Sequence, residues 1–168
     1  MGLKVVAFEP LLASQQLLQL ALPLNAVSES VVAVPVGLSD RTGTATFDIR
    51  SAQAGISGSS IGVELQAPQY RVTTVTLVGD DARKMLAGPY NTPTAIKLDV
   101  DGIELQILEG LRDTLASSEL RHVMVEEVEQ ESRIASMLAP FGFRLAHEEN
   151  TSPSRPGNEV NRYFVRVH

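Results

Sequence analysis

The chain has 168 residues, a length that fits one domain with a single sizeable core. Hydrophobic residues make up 43% and charged residues 20%, and the mean hydropathy of +0.04 is that of a globular protein rather than a disordered one. A net charge of −6 and a pI near 5.0 argue against a broad nucleic-acid face, and the absence of cysteine removes disulfides, thiolate metal sites and thiol nucleophiles together.

No apolar run approaches the length of a membrane span. Glu9 and Pro10 interrupt the first apolar stretch too early for a signal peptide, so the expectation is a cytoplasmic protein with neither membrane nor nucleic-acid partners. KVVAF reads as a short buried strand with Glu9 at its carboxyl tip. Leu11, Leu12, Gln15, Leu18 and Leu22 then follow helical spacing, with Pro23 as the stop. A β-rich stretch over 31–38 contains Pro35, which predicts an edge strand or a bulge, and Ser39-Asp40 stand at its end. TATFDIR alternates as a half-buried strand, and the small residues of 51–62 predict a loop. Further strands are predicted over 71–78, 94–100 and 122–128, with helices over 79–88, 103–117 and 129–142. Two terminal strands, 142–148 and 161–168, flank a polar turn-rich loop and predict an antiparallel hairpin. Strand–helix alternation points to α/β with a mainly parallel sheet in one domain.

The densest chemistry lies in AIKLDVDGIELQILEGL. An apolar strand delivers Lys97, Asp99, Asp101 and Glu104 to its end, and Gly102 permits a sharp turn into a helix. Ligands of open α/β sheets bind beyond the carboxyl ends of the strands, so these acids can orient a hydroxyl, take its proton or share a metal ion. A single acid here is more simply a helix cap or a partner of the helix dipole. Three acids with a lysine and a glycine favour a site. The DxDG segment also matches the opening motif of haloacid-dehalogenase-like phosphatases, but no lysine follows Lys97 and the pair Asp80-Asp81 lies upstream. A calcium loop fails on the glycine position. Gly55, Gly58 and Gly62 form no phosphate loop, and His122, His147 and His168 are too scattered to assign a metal site. Glu126 and Glu127 end a strand, and alternation sends them to opposite faces.

With these segments in place the chain resembles the FkbM family of S-adenosylmethionine-dependent methyltransferases. KVVAFEP is similar to that family's second strand and VPVGLSD to its third. IKLDVDGIELQILEGL resembles its signature, I-K-x-D-V-E-G-x-E with a leucine-glycine ending, and HVMVEEV and APFGF follow in order, so that the likeness runs from about residue 4 to residue 146. The resemblance implies a Rossmann-like class I methyltransferase sheet that binds S-adenosylmethionine. It implies that Glu9 holds the cofactor ribose and that Ser39 and Asp40 lie near the adenine. Asp99, Asp101 and Glu104 would face the reacting centre, supported by Lys97 and by Glu126 on the substrate side. The implied reaction is methyl transfer to a hydroxyl of a sugar or other small metabolite. Asp101 stands where the family commonly has Glu, and the family's first strand and glycine-rich turn have no counterpart ahead of KVVAF. That strand is central, so an N-terminally truncated sheet is expected. Direct pairing of 4–8 with 94–100, together with a homodimer, would cover the exposed edges. A non-catalytic binding or assembly module on the same scaffold is the alternative to an enzyme.

Overall fold

The computed structural model describes residues 2–49, 60–61, 70–100, 102–127, 133–150 and 160–167. Asp101, most of the predicted loop at 51–62, the start of the helix predicted at 129 and residues 151–159 lie outside the described residues.

The β-branched run Val5–Phe8 forms β1, and Val31–Val34 forms β2 beside it in parallel register, Val5 opposite Val31. Between them α1 spans Leu12–Leu24. Pro23 lies inside its last turn rather than ending it, because Asn25 closes the helix: its backbone N–H and its side-chain amide both donate to the Ala21 carbonyl. Pro35 splits the stretch predicted as one strand, and Gly37–Ser39 (β3) joins another sheet. There β3 pairs in parallel with β6 (Tyr70–Val78), which pairs antiparallel with β4 (Gly43–Ile49), and β4 with β5 (Ser60–Ile61). A short helix, α2 (Gly79–Lys84), follows.

The third sheet runs β7 (Ala95–Leu98), β8 (His122–Glu127), β10 (Val160–Arg166), β9 (Phe143–Asn150). The β7–β8 pair is parallel, and the terminal hairpin is antiparallel as expected. The predicted helix over 103–117 is broken at Gly110-Leu111 into α3 (Glu104–Glu109) and α4 (Arg112–Ala116). The last helix, α5, spans Arg133–Leu138 and leads into a 3₁₀ turn at Ala139–Phe141.

The expectation of one mainly parallel sheet is therefore corrected. Among the described residues there are three small sheets, and antiparallel pairings outnumber parallel ones. The direct pairing of β1 with β7 does not form: each is hydrogen-bonded to one neighbour, β2 and β8 respectively. The hydrophobic core lies on one face of the third sheet. Leu98, Val123, Val125, Phe143 and Phe164 pack there against Ile103, Ile107, Leu108, Leu111, Leu115, Ile134 and Leu138. By contrast α1 buries only Gln15 and Leu22 and leaves Leu12, Leu17, Leu20 and Leu24 exposed.

Two joints hold the core together. The Asp80 carboxylate is buried and accepts the backbone N–H groups of Asp113 (2.7 Å) and Thr114 (2.9 Å) and the Thr114 hydroxyl, which satisfies donors at the start of α4. The Arg166 guanidinium donates to the carbonyls of Leu115, Ser117, Leu120 and Phe141 and lies over the Phe143 ring. One side chain thereby ties the end of β10 to the end of α4 and to the 3₁₀ turn.

Candidate functional site

The parallel register that sets Leu98 opposite Val125 brings the next residues, Asp99 and Glu126, side by side at the carboxyl ends of β7 and β8. Their carboxyl groups share a hydrogen bond, and Lys97 Nζ lies 2.5 Å from Asp99 Oδ2. The bond with Glu126, and after it the one from Lys97, holds the Asp99 carboxyl below the usual aspartate range. Two carboxyls at hydrogen-bonding distance need a proton between them, so the pair takes and gives protons as a unit. Asp99 and Lys97 are each about half exposed, which keeps their ion pair weak and leaves it open to a ligand.

Downstream, Gly102 adopts a φ of +97°, a conformation L side chains rarely take. The turn it makes delivers Glu104 to the first position of α3, where Glu104 Oε1 accepts the Gly102 N–H at 3.0 Å. Asp99, Lys97, Glu104 and Glu126 are thus held around one strand–turn–helix junction, while Asp101 lies outside the described residues.

Glu9 follows β1, and its N–H extends the ladder to the Val34 carbonyl. Its Oε1 accepts the Leu11 N–H at 2.8 Å, which orients the carboxylate and leaves Oε2 for a ligand. Burial pushes the Glu9 carboxyl above its usual pKa, and the Leu11 bond partly opposes this. Ser39 and Asp40 are placed differently. They belong to the β3–β6 sheet, with Ser39 Oγ donating to Asp40 Oδ1 at 3.0 Å. The Ser39 carbonyl packs against Gly110, beyond the last turn of α3. Glu104 opens that helix, so the Ser39 carbonyl lies about 9 Å along the helix axis from the Glu104 backbone. Ser39 and Asp40, expected near the adenine rather than at the acids, therefore stand on a different sheet from Asp99 and Glu126.

Among the described residues no three His, Asp or Glu side chains converge as a metal site, and no helix is long and apolar enough to cross a membrane. Sequence reading also missed Asp80 and Arg166, whose roles depend on distant backbone groups. It missed as well the outward row of β10, Asn161, Tyr163 and Val165, which alternation in NRYFVRV does signal.

The methyltransferase FkbM domain model matches residues 1–145. Comparison with curated proteins gave no match. Among solved structures, the methyltransferase FkbM from Methylobacillus flagellatus superposes with a TM-score of 0.59 at 16% identity, over 96% of this chain and 36% of that one. The likeness supports the fold, a mixed α/β arrangement, and the chain spans little more than a third of that protein's length. With a strand–turn–helix acid junction in place and the domain model matched over most of its residues, the chain belongs to the FkbM methyltransferase family.

Proposed function

We propose that the chain carries the acceptor side and the ribose-binding tip of an S-adenosylmethionine-dependent O-methyltransferase acting on a hydroxyl of a sugar or other small metabolite. The observation that carries this reading is the Asp99–Glu126 carboxyl pair at the ends of two parallel strands, flanked by Lys97 and Glu104. When bound, S-adenosylmethionine supplies an electrophilic methyl group on a sulfonium. The carboxyl pair orients the acceptor hydroxyl and takes its proton as the C–O bond forms and the S–CH₃ bond breaks. Lys97 keeps Asp99 ionised and aimed, and Glu104 adds to the negative rim of the junction. Glu9 suits a ribose, since a half-buried carboxylate with one oxygen fixed by Leu11 presents the other to a hydroxyl. Ser39 and Asp40, joined by a hydrogen bond at the end of β3, are assigned to the adenine side of the cofactor. The sheet is read as Rossmann-like, with β2–β1 and β7–β8–β10–β9 as its two halves.

Methyl transfer from labelled S-adenosylmethionine to a panel of glycosides and polyols tests this. Asp99→Asn and Glu126→Gln should each abolish product while folding is kept; undiminished transfer by both would refute the assignment. A second reading, a binding or assembly module without methyl transfer, is favoured by one observation: among the described residues no strand with a glycine-rich turn lies beside β1 or β7. A homodimer is part of the proposal, placed on the uncharged α1, whose Leu12, Leu17, Leu20 and Leu24 are exposed. Sedimentation should give a dimer that Leu20→Glu with Leu24→Glu dissociates, and a clean monomer would contradict it. No membrane or nucleic-acid partner enters the proposal, which takes the protein to be cytoplasmic.

A further inference from the structure

The geometry points to a binding platform for a ring-shaped polyol on the coreless face of the β7–β8–β10–β9 sheet, built by Glu126, Asn161, Glu149, Tyr163 and His147 beside Asp99. One face of this sheet carries the core, through Val123, Val125, Val160 and Phe164. On the other face, strand register sets successive rows across the sheet. The row at the carboxyl ends of β7 and β8 runs Asp99, Glu126, Asn161, Glu149, the one below it runs Lys97, Met124, Tyr163, His147, and Ala95, His122, Val165 and Arg144 lie beyond.

A solvated sheet face would satisfy its polar groups locally or point them into water. Two features depart from that. The Asn161 side-chain oxygen is buried and has no hydrogen-bond partner among the described residues, which leaves an acceptor on this face unsatisfied. In addition, β9 reaches this face only through a bulge. Leu145 pairs with Phe164 on the core side, and the register then skips Ala146, so that His147 meets Tyr163 on the opposite face. Without the extra residue His147 and Glu149 would alternate onto the core side with Phe143 and Leu145. Bulges recur where a site needs a side chain re-aimed.

The chemistry of the first two rows then selects a ligand class. The upper row is rich in acceptors, two paired carboxyls, an amide oxygen unsatisfied among the described residues and a further carboxylate, and the lysine beside it, Lys97, is engaged with Asp99. It is matched by several hydroxyl donors. Below it the His147 and Tyr163 rings stand 5.6 Å apart, tilted by 39°, and offer an aromatic surface to an apolar ring face. Several hydroxyls at the edge of a ring with C–H groups on its face describe a pyranoside. The inference deepens the acceptor side of the function proposed above and rests on it for the fate of the bound sugar, but not for binding.

Saturation-transfer NMR of the whole chain with millimolar methyl β-D-glucopyranoside and methyl α-D-mannopyranoside tests it, with choline as a cationic control. Ring protons of at least one glycoside should receive saturation. Binding should weaken by about 5- to 30-fold in Asn161→Leu and Tyr163→Ala. His147→Ala and Glu149→Gln, at exposed positions, should weaken it in the same direction. No transfer to either glycoside, transfer unchanged by all four substitutions, or transfer to choline alone overturns the platform. Titration with S-adenosylhomocysteine in the same samples separates the two ideas. Glycoside binding without nucleoside binding keeps the platform and removes the methyltransferase reading, and the reverse pattern removes the platform.

Discussion

Replacing Gly110 by alanine is expected to be among the most damaging single changes in this chain. The reason is space rather than backbone angle, since the φ of Gly110 is an ordinary −73°. A Cβ there would sit 2.1 Å from the Ser39 carbonyl oxygen, 3.0 Å from its carbon and 3.1 Å from the Gly79 nitrogen. All three are backbone atoms and none can rotate away. Relief requires β3 and the α3–α4 joint to part by more than an ångström. That movement strains the Asp80 N–H bond to the Gly110 carbonyl, 2.7 Å in the wild type, and loosens Leu111, which packs over Gly79. Overpacking with partial loss of a buried hydrogen bond gives a cost of about 3 kcal/mol or more. Gly102→Ala is the informative comparison: its Cβ meets nothing within 4 Å, and only the φ of +97° penalises it, by roughly 1–2 kcal/mol. Gly43→Ala, in open space with no unusual φ, is the near-neutral control. Urea unfolding followed by far-UV circular dichroism should rank the losses Gly110→Ala, Gly102→Ala, Gly43→Ala. A Gly110→Ala midpoint equal to or above that of Gly102→Ala would refute the close-approach reasoning.

Other substitutions probe the joints and the acids. Arg166→Met strands four carbonyls and should cost about 3 kcal/mol in the same assay, with Arg166→Lys recovering only a fraction because one ammonium cannot serve all four. Asp80→Asn turns an amide N–H towards a backbone N–H and should destabilise by about 2 kcal/mol, measured by the shift in urea midpoint. The two perturbed carboxyls give opposite pH signatures. Asp99 is lowered, so its contribution is present above the unfolded value of 3.8 and is lost as pH falls through the folded one; Asp99→Asn should flatten that acid limb. Glu9 is raised, so stability is greatest below its unfolded value of 4.5 and declines as pH rises through the folded one. Glu9→Gln keeps an acceptor for Leu11 and should therefore be more stable than wild type at neutral pH, and a thermal melt showing a drop would contradict this.

The acid junction was legible in sequence because its parts are local. An apolar strand, a glycine that permits positive φ and an apolar helical stripe put Asp99 and Glu104 around one turn with no distant help. The pairing of Asp99 with Glu126 was half legible: alternation put Glu126 and Glu127 on opposite faces without choosing between them, and only the parallel register brought Glu126 beside Asp99. What was not legible depended on tertiary contacts. The stripe Ile107, Leu108, Leu111, Leu115 continues through Gly110 as if through one helix, and the break exists because the Ser39 backbone passes there. Pro35 signalled a break in 31–38, yet not that the second piece would leave for another sheet and take Ser39 and Asp40 with it. The shift at Ala146 is invisible in GFRLAHE, because a bulge is defined by the partner strand.

If Glu9 grips the cofactor and Asp99 serves the acceptor, isothermal titration of S-adenosylhomocysteine into the chain and its variants separates the two roles. Wild type should give saturable heat, Glu9→Ala should bind at least about tenfold more weakly, and Asp99→Asn should keep its affinity. No heat at high-micromolar ligand, or the same affinity in Glu9→Ala as in wild type, would contradict this division of roles.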